Sequence, residues 1–69
     1  MDVIQKELES RKSEIRRGMK LLFKANMKIT DWDVPEADDK EAAKILLEIL
    51  QETLDEIKDD VVEGKYDYY

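Results

Sequence analysis

Apolar residues return along this chain every three or four positions, in two runs separated by a single break. In the first run, Ile4, Leu8, Ile15, Leu22 and Ile29 fall on one 4-3 ladder. Its remaining rungs are Arg11, Gly18 and Ala25, and Met19 and Phe23 widen the same face. A period of about 3.5–3.6 residues held for about seven turns predicts a helix over about 2–28. The break, Ile29 to Pro35, holds the one proline of the chain. Proline lacks a backbone N–H and pushes the preceding residue out of helical geometry, so the first helix ends before it.

Two restart signals follow. Asp33 with Glu36 and Asp38 with Glu41 both have the Asp-x-x-Glu spacing of a capping box, and acidic groups suit the positive end of a helix. The pattern leaves both starts open and predicts a connection over about 29–37. The second helix, over about 38–63, carries Ala43, Leu47, Leu50, Leu54, Ile57 and Val61 on its own 4-3 ladder. Gly64 follows, the usual residue for a left-handed C-terminal cap. Residues 65–69, Lys65-Tyr66-Asp67-Tyr68-Tyr69, read as a flexible tyrosine-rich tail. The expected fold is all-α, a hairpin of two long antiparallel helices.

The second helix has a wide apolar face. With Leu47 at 0°, its ladder spans about 280–360°, and Leu46, Ile49, Ala42 and Ile45 extend the arc back to about 160°. One antiparallel neighbour covers only a narrow stripe of that. Either the tail or the loop around Trp32 folds over the remainder, or a second subunit does. The second is the leading expectation: a homodimer forming a four-helix bundle, with Leu46, Leu47, Ile49, Leu50 and Leu54 at the interface.

Composition sharpens this need. A chain of 69 residues is one domain with a marginal core, and small domains usually add disulfides, a metal or oligomerisation. There is no Cys and no His, which removes disulfides and zinc sites of nitrogen and sulfur ligands. Charged residues are 43% of the chain, the profile of long helices and coiled coils, and abundant Lys and Glu also fit a thermophile. No apolar run can cross a bilayer and residues 1–7 have no signal-peptide character, so the expected location is cytoplasmic.

Charge is divided unevenly. Residues 1–29 carry eight basic and four acidic groups, whereas residues 30–69 carry four lysines and fourteen acids, giving the net charge of −6. Arg17, Lys20, Lys24 and Lys28, with Lys6, form a basic stripe opposite the first ladder. The plainest reading is a solvated face; an acidic protein partner comes next, and nucleic acid third. Against nucleic acid stand the acidic whole and a stripe without stacking aromatics.

Candidate chemistry is sparse. Asp31, Asp33, Glu36, Asp38 and Asp39 lie close together, but an EF-hand counted from Asp31 meets Pro35, Glu36 and Ala42 at its fifth, sixth and twelfth positions. Helix capping is the better account, and neither metal nor cofactor is expected. Ser10 and Ser13 have no His to activate them, and a two-helix chain offers carboxylates no enclosing pocket. The sequence reads as a non-enzyme. Trp32 and Tyr66, Tyr68 and Tyr69 are the residues most suited to docking, since Trp and Tyr bury much area with little entropy loss. The functional expectation is a protein–protein interaction module: an adaptor, accessory subunit or modulator of a larger assembly. A nucleic-acid accessory protein using the basic stripe is the alternative, and an inhibitor masking a cationic target is a third.

Overall fold

Backbone hydrogen bonds divide the chain into three helices, α1 (Val3–Ser10), α2 (Lys12–Asp33) and α3 (Asp39–Val62), in a computed structural model that describes residues 2–68. Asp2 caps α1, its carboxylate accepting from the Ile4 N–H at 3.3 Å. The expected first helix is interrupted at one residue. Arg11 sits at φ −101° and ψ 3°, and its N–H turns back to the Leu8 carbonyl at 3.2 Å. Beside it the Ser10 hydroxyl donates to the Glu7 carbonyl at 2.6 Å, a side-chain bond that competes with the helical ladder. The ladder resumes at once, with the Ile15 N–H on the Arg11 carbonyl at 3.0 Å.

At its other end the helix continues past residue 28 to Asp33, so the connection is 34–38 and not 29–37. Proline restricts the residue before it, and Val34 is where the helix is left, at φ −131° and ψ 78°. Within this longer helix the Asn26 and Thr30 side chains donate to carbonyls four residues back, Leu22 and Asn26, each at 2.9 Å. Of the two restart signals, Asp38 is the cap: its carboxylate accepts from the Lys40 N–H at 3.0 Å. Trp32 therefore lies on the last turn of α2 and not in a loop.

Gly64 ends α3 as expected from its residue type, at φ 82°. The Lys65 N–H reaches the Asp60 carbonyl at 3.0 Å and the Gly64 N–H that of Val61 at 3.1 Å, the paired bonds of a Schellman motif. Lys65 Nζ reinforces the cap at 3.0 Å from Asp60 Oδ1 and 3.4 Å from Glu63 Oε2. These acids raise the Lys65 pKa, through the hydrogen bond to Asp60 first. Residues 63–68 continue as consecutive turns, and Tyr69 lies outside the described residues.

The two long helices pack together, α2 against α3. Where they meet, the half-buried residues are Phe23, Asn26, Met27 and Thr30 on α2, and Ala42, Ala43, Leu46 and Leu50 on α3, with Ala37 in the turn. This seam occupies the loop end only. Toward the open end the same face is less covered: Ile57 follows Leu50 on α3 yet is 41% exposed. The reason is legible on α2. The line through Phe23 and Met27 continues back to Arg16 and Lys12, which give Ile57 and Val61 no apolar counterpart. No Cα of α1 comes within 8 Å of one in α3 among the described residues.

No described side chain is fully buried. The accessible surface is 6614 Å². A compact chain of this mass would expose about 4,500 Å² by surface-to-mass scaling. The radius of gyration is 15.9 Å, against about 11 Å for a compact domain of this length. About 2,100 Å² of surface therefore remains that a compact fold would have hidden.

Candidate interaction surface

The exposed apolar residues are ordered, and the helical azimuths show where they lie. With Leu8 at 0° and about 100° per residue, the half-buried residues of α2 centre near 50°. Ile15, Leu22 and Ile29 lie at about 300–340°, a quarter-turn or so to one side of that seam. All three are more than half exposed. On α3, with Leu47 at 0°, the half-buried residues centre near 275°, and Ile45 and Ile49 lie at about 160–200°. In an antiparallel pair, decreasing azimuth on both helices leads to the same side. The ladder of α2 and the Ile45–Ile49 flank of α3 therefore share one broad face of the hairpin.

Between them runs a trough of about 410 Å³ at the loop end, floored by Asn26, Thr30, Ala42 and Leu46 and walled by Ile45 and Ile49. The opposite face has a smaller groove of about 230 Å³, where Met19 and Phe23 meet Leu47, Leu50 and Leu54. The five leucine and isoleucine residues expected at a dimer interface thus occupy three places. Leu46 and Leu50 are half-buried in the seam, Ile49 lies on the broad face, and Leu47 and Leu54 lie on the other. Sequence periodicity found the whole arc but could not show that α2 takes its middle.

The aromatic candidates are spread out. Trp32 is 86% exposed at the loop end, so it does not cover the hairpin as a lid. Tyr68 is fully exposed at the opposite end of α3, while Tyr66 is less exposed and takes part in an interaction. These residues do not form one patch with Trp32.

Arg17, Lys20 and Lys24 of the basic stripe share a shallow depression of about 420 Å³ with Ser13, Arg16 and Leu21. Lys28 lies one turn further along. The ion pairs among the described residues are Arg11 with Glu14, and Lys65 with Asp60 and Glu63, so α3 does not neutralise the stripe within the chain. At the turn, Asp31 and Asp39 approach each other. A side-chain hydrogen bond that protonated Asp31 donates to the Asp39 carboxylate, then lost hydration, then the Asp39 charge lift the Asp31 carboxyl above its ordinary pKa.

Among the described residues no three acidic groups converge as metal ligands. None of the described helices is long and apolar enough to cross a membrane. No family model, no curated protein and no solved structure matches this chain.

Proposed function

We propose that this protein is a non-enzymatic helical interaction module, a homodimer that serves as an adaptor, accessory subunit or modulator of a larger assembly. One observation carries the reading: about 2,100 Å² of surface in excess of a compact fold, with Ile15, Leu22, Ile29, Ile45 and Ile49 on one face of the hairpin. A standard interface takes about 800 Å² from each partner, and obligate dimers take more, so the excess is sufficient for a permanent one. Pairing two hairpins through that face gives a four-helix bundle. Trp32 and Tyr68, both strongly exposed, remain outside this face for a further partner.

Sedimentation equilibrium at micromolar concentration tests the first half of the proposal, with a two-chain mass as the expected result. Removal of residues 65–69 tests the second, by loss of co-purifying protein at unchanged helicity. A single 8.2 kDa species with a cooperative melt would overturn the dimer.

A second reading has its own support in the unpaired cluster Arg16, Arg17, Lys20 and Lys24. These cations suit the phosphates of a nucleic acid, as an accessory protein would need. Salt-sensitive gel shifts with mixed DNA and RNA, lost on Arg17→Glu, Lys20→Glu and Lys24→Glu together, would favour it. The net charge of −6 weighs against it.

A further inference from the structure

We infer that the groove on the other side of the hairpin, opposite the broad apolar face, is a docking site for an acidic amphipathic helix of a partner protein. This rests on the reading as an interaction module and adds the chemistry of the partner. It does not depend on the dimer, which uses the opposite face.

The groove of about 230 Å³ lies where azimuth increases from the seam on both helices, and Met19, Phe23, Leu47, Leu50 and Leu54 line it. Cations stand along both of its sides. On α2, Arg16, Lys20 and Lys24 lie at about 80–160°, beyond the seam near 50°. Lys20 borders the groove itself, as does Gln51 on the far side. On α3, all three lysines, Lys40, Lys44 and Lys58, lie at about 20–60°, beyond the seam near 275°. All six cations are exposed, and none takes part in an ion pair among the described residues. The acids of α3 other than Asp39 and Asp60 lie at about 80–180°, behind the helix. A chain of net charge −6 thus gathers its cations around one apolar groove.

Shape and charge together select the occupant. A two-fold pairing through this side would set the face against itself, six cations against six, and like charges across an interface penalise that contact. Nucleic acid would use the cations but not the floor: Met and Leu offer bases nothing to stack on, and Phe23 is half-buried in the seam. An amphipathic helix uses both. Its apolar stripe lies in the groove between two helices. Carboxylates on the two flanks of that stripe reach the cations on the two rims, as charges beside a coiled-coil seam do. Lys40 and Lys58 mark its length, since the cations between them extend about 27 Å along α3, five helical turns.

The probe is a fluorescein-labelled synthetic helix of about 18 residues, with leucines on one 4-3 stripe and glutamates on both flanks of it. Anisotropy titration with the full-length protein should show saturable binding. Lys20→Glu with Lys44→Glu should weaken it by about tenfold or more, and Lys6→Glu with Lys28→Glu, the same change in net charge away from the groove, by much less. Leu47→Ala should weaken it too, and circular dichroism checks that each variant keeps its helicity. A peptide of the same composition with its leucines scattered should bind at least about tenfold more weakly. Equal binding of the scattered peptide, equal effects of the two charge reversals, or no saturation by about 1 mM would overturn the proposal. So would tighter binding of a mixed-sequence DNA oligonucleotide, which would assign the cations to nucleic acid. Sedimentation without peptide closes the test: a changed mass in Lys20→Glu with Lys44→Glu would place a second copy in the groove and overturn the proposal. A one-chain mass with peptide binding intact would overturn the dimer alone.

Discussion

Replacing Ile49 by Ala tests the proposed dimer separately from the fold of the single chain. Ile49 is 52% exposed on the broad face and borders the trough between α2 and α3. Full burial of such a side chain is worth about 1.5–3 kcal/mol, so the half still in contact with water represents about 1 kcal/mol. A two-fold dimer contains the site twice, which makes the loss about 2 kcal/mol per dimer. At 1.4 kcal/mol per factor of ten, the dissociation constant should rise about 30-fold. Helix formation should not suffer, because Ala has a higher helix propensity than Ile. Sedimentation equilibrium over a concentration series measures the constant, and circular dichroism checks that helicity is retained. Val62→Ala is the control: Val62 is 79% exposed and lies on the other side of α3. The reasoning is refuted if both variants shift the constant equally, or if Ile49→Ala leaves it unchanged.

Three other outcomes follow from the geometry. Because Asp31 has a raised pKa when folded, its favourable contribution is complete below the ordinary aspartate value of 3.8 and is lost as pH rises through the folded value. Asp31→Asn should therefore raise Tm at pH 7, by an amount that shrinks to nothing at about pH 3; equal gains at both pH values would contradict this. Gly64→Ala should destabilise the end of α3 by about 1 kcal/mol, because φ there is 82° and an added Cβ would come 2.8 Å from Asp67 Oδ2. Thermal melts followed by circular dichroism measure it, and an unchanged Tm would mean the Schellman cap is not formed. Trp32, the single tryptophan, should show the red-shifted, readily quenched emission of an indole in water, and Trp32→Ala should change stability by no more than about 0.5 kcal/mol. A blue-shifted, protected emission would show that something covers it.

Much of this molecule follows from local rules written in the chain. The 4-3 spacing of apolar residues specifies helices, Pro35 ends one, Asp38 begins the next and Gly64 closes it. None of these depends on what the helices touch. The wide apolar arc of α3 was equally plain, since it needs only the helical period. Local competition was harder to read: the Ser10 bond that breaks the helix at Arg11, and the Asn26 and Thr30 bonds that accompany α2 on to Asp33, are side-chain choices the apolar pattern does not encode.

Tertiary structure decided which part of each apolar face is used. The ladder Ile15, Leu22 and Ile29 is the strongest signal in the first half of the sequence, yet α3 packs on Phe23 and Met27, a quarter-turn or so away. Periodicity reports that a helix has an apolar side and not which neighbour will meet it. A five-residue connection and the polar Lys12 and Arg16 fixed the contact at the loop end. What was left over, the ladder of one helix beside the flank of the other, became a single face only once the two helices had been set side by side.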